Sequence, residues 1–278
     1  MPETPSPETL VSLLTDEAPS TRAAVRRALV ELGPRAIPAL RRASDGNDAP
    51  LRARARQVLL EMRRARGEAR LRSLLAEDTV PLEDGLLAID EWIGAADPAL
   101  DVPGQLAAWA DSLRGDVGPD ADVERLAAAI RALLGSEVGF DGAEVDFHNV
   151  DHVSLTRCIE SARGLPLTLS AVYALVARRA GYIAALLPFP GHVLLHLGAG
   201  GARRILDPFT GGDAVDESTC QARLHAMGAP PGGRWLEPAS DRSMIVRQVR
   251  NLGASMARHG RHRDAGDLAA LVDELESR

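Results

Sequence analysis

Residues 164–212 combine one apolar helix with several short strand-like segments, and this order constrains the fold more than any other feature of the 278-residue chain. The run LTLSAVYALVARRA (167–180) is apolar on most sides until Arg178, which is typical of a buried central helix. After Gly181, three segments have the composition of strands: YIAALLP, HVLLHL and RRILDP. The glycine-rich GAGGA between the last two predicts a hairpin turn. A central helix packed on a small antiparallel sheet is the arrangement that this order predicts.

Helical periodicity dominates on both sides of this segment. Residues 8–33 read as two short helices, and the same pattern returns over 34–65. Paired helices that recur at roughly 30 residues, with apolar positions at i, i+3 and i+4, are typical of an α-solenoid. Residues 79–137, 216–228 and 240–276 are also helical in period. The sequence therefore predicts a mostly helical α+β protein.

Two side chains in the strand-like segments could carry chemistry. His192 follows Pro190-Gly191 at the start of one predicted strand, and Asp207 ends the next strand. In a hairpin both can face one cleft above the N-terminus of helix 167–180, as the base and its orienting carboxylate do in a catalytic triad. Asp207 would fix the imidazole tautomer and leave the other nitrogen as a base or hydrogen-bond partner. Alternatively, the pair only ties two strands to the helix.

The chain carries a set of motifs that resemble a known family: GFDGAEVDFHN, RGLPLTLSAVYALVARRAG, FPGHVLL, LDPFTGG and VRNL. Over residues 80–275 they resemble the SirB-type branch of the transglutaminase-like superfamily, which joins a papain-like core to tetratricopeptide-like helices. The resemblance implies that His192 and Asp207 belong to a Cys-His-Asp triad. It also implies that Pro166 stands at the nucleophile position, where related enzymes have Cys. A regulatory role has been attached to the family, and the resemblance implies such a role for this chain.

The N-terminal segment resembles a different family. Its run LVSLLTDEAPSTRAAVRRALVELGPRAIPAL is similar to HEAT repeats. We therefore expect three segments: residues 1–78 as a HEAT-like part, 79–212 as a helical lead-in with the transglutaminase-like core, and 213–278 as a tetratricopeptide-like helical part. The transglutaminase-like part departs from the SirB-type family at two places. His152-Val153 stand where an Asn-Ser pair is usual in that family, and His196 stands where Arg is common.

No residue near Pro166 is a strong substitute nucleophile. Thr168 and Ser170 lie in the first turns of the helix, but hydroxyls are weak nucleophiles without full activation. Cys158 falls in the middle of the preceding helix and is expected to be a core residue. Cys220 lies in a polar helix after the core.

Several further residues are candidates for ligand or partner contact, namely Gly191, Phe209, His196 and His152, and we expect Phe209 to pack beneath His192. A metal site is a further possibility, because zinc could take three ligands from one set of side chains: His148, His152, His192, His196 and Asp207. No HExxH or CxxC motif supports it. We therefore expect neither a metal nor a cofactor.

Charge and composition limit the partners. The net charge of −7 argues against nucleic acid, although 14 arginines lie between Arg22 and Arg72. These arginines are either solvated helix faces or a basic docking face for an acidic partner or nucleic acid, and residues 1–91 contain no aromatic residue that could stack on bases. No apolar run approaches the ~20 residues of a membrane span, and the two cysteines lack any disulfide spacing. We expect a cytoplasmic protein. The chain contains arginine but no lysine, which suggests a high-GC bacterial genome.

Two functional hypotheses follow from these observations. The first is a non-catalytic or altered scaffold that binds a protein or peptide in a regulatory role, because Pro166 stands at the nucleophile position. The second is a Cys-independent amidase, peptidase or acyl-transferase. It would use His192 and Asp207 with water, a substrate nucleophile or Ser170.

Overall fold

The computed structural model describes residues 5–77, 79–95, 100–118, 122–230 and 233–277. The chain divides into two compact units, Met1–Ala69 and Arg70–Arg278. The division falls inside a long helix, so each unit is described by itself.

The first unit is helical. Its helices are α1 (Pro7–Ser12), α2 (Pro19–Leu32), α3 (Ile37–Ser44) and the greater part of α4 (Ala49–Leu75), with 3-10 turns at Leu13–Thr15 and Gly33–Ala36. The last residues of α4, from Arg70, belong to the second unit. Gly33 has a φ of +58°, a value that favours glycine, and the chain reverses there between α2 and α3. The core of the unit consists of small and aliphatic side chains: Leu10, Val11, Leu14, Val25, Leu29, Ala36, Ala39, Leu40, Ala55 and Val58.

The second unit contains the remaining helices and all strands of the described residues. The helices are α5 (Leu82–Ile93), α6 (Val102–Val117), α7 (Val123–Ile130), α8 (Leu155–Ser161), α9 (Pro166–Arg179), α10 (Glu217–Ala226), α11 (Asp241–Arg258) and α12 (His262–Glu276). A π-helical turn, Arg131–Glu137, continues α7. In the second unit α11 and α12 pack against each other as an antiparallel pair, with Arg250 of α11 beside Glu276 at the end of α12.

The strands form two sheets. Two short strands, β1 (Asp141–Gly142) and β2 (Arg163–Gly164), pair in parallel. Four strands form an antiparallel sheet in the order β3-β4-β5-β6: β3 (Ile183–Leu187), β4 (Leu194–Ala199), β5 (Ala202–Asp207) and β6 (Asp213–Ala214). The β4–β5 hairpin turns at Gly200 and Gly201, which have φ values of +57° and +80°. A two-residue turn with both φ angles positive matches the twist of a hairpin, which is why glycines stand there.

Helix α9 is the centre of the second unit. All of its residues from Pro166 to Ala177 are buried, and it packs on β3, β4 and α6. This placement explains why the helix is apolar on nearly every side. The predicted mostly helical α+β fold with a small antiparallel sheet is confirmed. One detail of the prediction is wrong: β4 begins at Leu194, and His192 lies in the preceding turn.

Candidate functional site

His192 and Asp207 form a hydrogen-bonded pair at the end of the sheet where β3 and β5 end and β4 begins. His192 Nε2 lies 2.8 Å from Asp207 Oδ1. The same carboxylate oxygen accepts the backbone N–H of Phe209 at 3.1 Å. The side chain of Asp207 is 7% exposed and that of His192 21% exposed. Because a carboxylate can only accept, Nε2 donates to Asp207, and in the neutral imidazole this leaves the lone pair on Nδ1.

A tight turn presents His192. Its backbone N–H donates to the carbonyl of Phe189 at 3.0 Å, and Gly191 has a φ of +67°. A β-carbon at Gly191 would lie 3.9 Å from the methyl group of Met227, which follows α10. The turn therefore explains why His192 precedes β4 instead of belonging to it.

One aromatic ring contacts the imidazole. The rings of Phe209 and His192 are in edge-to-face contact, with centroids 5.5 Å apart. Phe147, from the loop after β1, contacts Phe209 in turn, with ring centroids 6.3 Å apart. A β-carbon at Gly142 would lie 2.5 Å from a ring atom of Phe209, so a glycine at this position leaves space for the ring.

Two exposed apolar side chains lie next to residues that adjoin the pair: Phe147 contacts Phe209, and Met227 lies near Gly191. Phe147 is 36% exposed and Met227 56% exposed, although both are large and apolar. Val145, two residues from Phe147, is also exposed. Exposed apolar groups close to one polar pair are typical of a binding surface.

The two hydroxyls at the start of α9 are fully buried and bonded to backbone carbonyls. Thr168 Oγ1 donates to the carbonyl of His152 at 2.9 Å, and Ser170 Oγ donates to the carbonyl of Val193 at 2.9 Å. Pro166 is the buried first residue of the helix, a position that suits proline because the first N–H of a helix has no helical acceptor. Both hydroxyls thus tie α9 to neighbouring segments.

The remaining histidine candidates lie in separate environments. His152 Nδ1 lies 3.1 Å from the carbonyl of Asp146 in its own loop. His196 lies in β4 opposite Ala185 and Ile205. Its Nδ1 is buried without a hydrogen-bond partner among the described residues, and burial, with a smaller effect of a nearby arginine, lowers its pKa. Across the described ranges, no three His, Cys, Asp or Glu side chains form a group that could hold a metal ion.

Both cysteines are buried. Burial raises the pKa of the Cys158 thiol far above its ordinary value, and a β-carbon at Gly164 would lie 2.8 Å from its sulfur. Cys220, on a helix that is polar in sequence, packs with Leu187 and Ile205 on the outer face of the sheet, and burial raises its pKa too. Since the thiolate is the nucleophilic form, neither environment activates a cysteine.

Sequence reasoning missed the part of the site that α11 supplies. Arg247 Nη2 donates to the carbonyls of Phe189 at 3.1 Å and His192 at 2.8 Å. Burial lowers the pKa of this guanidinium. Arg247 therefore holds both ends of the turn that presents the imidazole.

The next residue of α11, Gln248, bonds to the start of α9 and to the segment before α8. Gln248 Nε2 donates to the carbonyl of Val153 at 2.7 Å and to Thr168 Oγ1 at 2.8 Å, and Asn251 donates to Gln248 Oε1 at 3.0 Å. Two consecutive residues of α11 thus fix the His192 turn and the start of α9. The signal in the sequence was a polar residue, Gln248, within the apolar stripe of this helix.

We expect Arg247→Ala to lower the free energy of unfolding by about 1–3 kcal/mol, because two carbonyls lose a charged donor. Urea unfolding at neutral pH measures the loss. Arg250→Ala is the matched control on the same helix; its ion pair with Glu276 is about half exposed, so its loss should stay below about 1 kcal/mol. Equal losses for the two variants would contradict this account of Arg247.

A buried carboxylate supports the segment behind the site. Asp90 of α5 is fully buried and accepts the backbone N–H groups of Leu155 at 3.1 Å and Thr156 at 2.7 Å, and the Thr156 hydroxyl at 2.6 Å. It thus caps the N-terminus of α8 from a different helix. Burial raises the pKa of Asp90 from 3.8 to about 6, against the opposing effect of these hydrogen bonds.

The raised pKa of Asp90 predicts a pH dependence of stability. Between pH 3.8 and about 6 the folded chain keeps a proton that the unfolded chain has released, so the contribution of Asp90 falls as pH rises. A shift of this size corresponds to about 3 kcal/mol. Urea unfolding across this range should show the stability of the natural chain falling relative to Asp90→Asn, which cannot titrate. The prediction is contradicted if the stability of the natural chain minus that of Asp90→Asn stays constant or rises with pH.

The site is a hydrogen-bonded His-Asp pair in the unit whose central helix is α9. Comparison with known proteins gives the superfamily of the chain. The profile of the transglutaminase-like superfamily matches residues 101–250, more than half of the chain, so the chain belongs to this superfamily. Two curated relatives are described as UPF0162 proteins of Xylella fastidiosa. The protein of strain Temecula1 is 31% identical and that of strain 9a5c is 30% identical, each over 154 residues.

The aligned region is 53% of this chain and 55% of each relative, so the chain spans about half the length of the curated relatives it matches. No solved structure matches the chain. Within the described residues, no helix combines the length and apolar character needed to cross a membrane.

Proposed function

We propose that the chain is a SirB-type binding or regulatory protein in which a transglutaminase-like core has lost or changed its acyl-transfer chemistry. The observation that carries the proposal is the environment at the start of α9. Pro166, at the nucleophile position by family resemblance, is buried, and the hydroxyls of Thr168 and Ser170 donate to backbone carbonyls. Losing a triad nucleophile costs about 10⁶ in kcat.

The ligand of the His192–Asp207 site is proposed to be a peptide or protein segment with an apolar side chain. Phe147 contacts Phe209, and Phe209 contacts His192. Phe147 and Met227 are exposed and could contact an apolar side chain of the ligand. The free Nδ1 of His192 can accept a hydrogen bond from a peptide N–H. Gly191, next to His192, is proposed as a further contact residue of this site. His152 and His196 lie in separate environments, so we propose that only a longer ligand would reach them.

The flanking helices fit the same role. We propose that residues 1–78 are HEAT-like and residues 213–278 tetratricopeptide-like, both architectures that present concave helical surfaces. With a core over residues 79–212 between them, the chain would act as a cytoplasmic scaffold of a bacterial cell. The amphipathic, helical character of both flanks supports this assignment.

A second function is favoured by one observation, the intact His192–Asp207 hydrogen bond of 2.8 Å. A base oriented by a carboxylate can activate water or a hydroxyl or amine of the substrate, so the alternative is a Cys-independent amidase, peptidase or acyl-transferase. In this case the missing thiol would be replaced by a nucleophile that the substrate brings.

The binding proposal is tested by selecting a random peptide library on the full chain. Fluorescence polarisation then measures the affinity of the recovered peptides for the natural chain and for variants. Phe147→Ser should weaken binding at least about tenfold, because it removes an exposed aromatic contact. Ile183→Ser is the matched control, since Ile183 is 68% exposed and lies at the far end of β3. Equal affinities for both variants, or no recovered peptides, would refute a peptide site at this pair.

A further inference from the structure

The first unit contains an apolar groove of its own. It has a volume of about 330 Å³ and lies where the end of α2, the start of α3 and the middle of α4 meet. Its apolar floor consists of Val30, Ile37, Leu59 and Met62. All of these side chains are half-buried, and Val30, Leu59 and Met62 rest on the core of the unit. Their outer surfaces therefore form a continuous apolar floor.

Arginines also line the groove. Arg41, Arg63 and Arg66 line the groove, and none of its lining residues is acidic among those that the structure describes. Arg63 and Arg66 are three residues apart on α4, so they lie on neighbouring turns of its surface. A guanidinium fork pairs well with a carboxylate. The groove thus combines an apolar floor with a rim of positive charge.

We propose that this groove binds an acidic amphipathic helix of a protein partner, with its apolar residues on the floor and its carboxylates on the arginine rim. Helix-in-groove recognition needs apolar anchors spaced at i, i+3 or i+4 and i+7. Charge complementarity selects a negative partner and raises the rate of association. A nucleic acid has no use for the apolar floor, and residues 1–91 offer it no aromatic stacking platform. This proposal does not depend on the proposed function of the His192–Asp207 site.

The test uses the full chain and a synthetic helical peptide with leucines at the i, i+3, i+4 and i+7 positions and glutamates elsewhere. Calorimetric titration at low salt should show binding that weakens as salt rises. The variant Arg63→Glu should lose at least about tenfold in affinity, since a like charge then faces the glutamates. Arg56→Glu is the matched control, because Arg56 is exposed on the same helix but does not line the groove. Circular dichroism verifies that both variants keep the helical fold.

Three further probes separate the alternatives. The same peptide with lysine in place of glutamate should not bind. A DNA duplex and phosphatidylglycerol vesicles are tested in the same way. Any binding of either should be unchanged in Arg63→Glu. The proposal is overturned if the acidic peptide fails to bind, if Arg56→Glu weakens it as much as Arg63→Glu, or if only the duplex or the vesicles respond to Arg63→Glu.

Discussion

Asp90→Ala is expected to lower the free energy of unfolding by about 3–5 kcal/mol at neutral pH. The carboxylate accepts two backbone N–H groups of α8 and the Thr156 hydroxyl in a fully buried position. Its removal leaves these donors buried without an acceptor, and each such donor costs about 1–3 kcal/mol. Urea unfolding followed by circular dichroism measures the loss.

The control for this prediction is Asp84→Ala. Asp84 lies on the same helix as Asp90, but its side chain is 44% exposed and pairs with Arg70 at the surface. We expect a loss below about 1 kcal/mol for such an exposed pair. A loss for Asp90→Ala as small as that for Asp84→Ala would show that Asp90 does not cap α8.

Gly135→Ala is expected to lower the free energy of unfolding by about 3 kcal/mol. Gly135 lies in the π-helical turn, and a β-carbon at this residue would lie 1.9 Å from the carbonyl oxygen of Gly211. Backbone cannot move away as cheaply as a flexible side chain, so the turn and the Gly211 loop must separate. Because this loop directly follows Phe209, we also expect the near-ultraviolet circular dichroism of the aromatic cluster to change.

Gly115→Ala supplies a control of opposite sign. Gly115 is an exposed residue of α6, and a β-carbon there would meet no atom within 4 Å. Alanine should therefore stabilise the helix by up to about 1 kcal/mol. If both variants shift the denaturation midpoint in the same direction, the close packing of Gly135 is not what stabilises this region.

Local pattern was sufficient to predict the centre of the fold. The apolar run predicted a helix over 167–180, and α9 spans Pro166–Arg179. The glycine-rich turn predicted the β4–β5 hairpin. Period-2 alternation placed His192 in the strand because it cannot detect the turn that Gly191 and the Phe189 carbonyl close. Such a turn depends on backbone hydrogen bonds and not on side-chain periodicity.

The candidate site could be predicted only where its residues follow one another along the chain. His192 lies just before β4 and Asp207 ends the neighbouring strand β5, so their order along the chain suggested a pair. Arg247 comes 55 residues after His192, and its approach depends on how α11 packs in three dimensions. Asp90 was missed for the same reason, since it caps a helix 65 residues further along. The helical character of α11 was predicted, but its place beside the site was not. The polar residue Gln248 within the apolar stripe of α11 was the signal that could have indicated this place.

We propose that the His192–Asp207 site binds a partner without acyl transfer. The most direct test of this proposal is product formation from a panel of amide, ester and glutaminyl-peptide substrates, with water, hydroxylamine or an amine as acceptor, comparing the natural chain with His192→Ala. We predict no product above background that depends on His192. Turnover that falls when His192 is replaced by Ala would contradict the proposal and establish the Cys-independent enzyme.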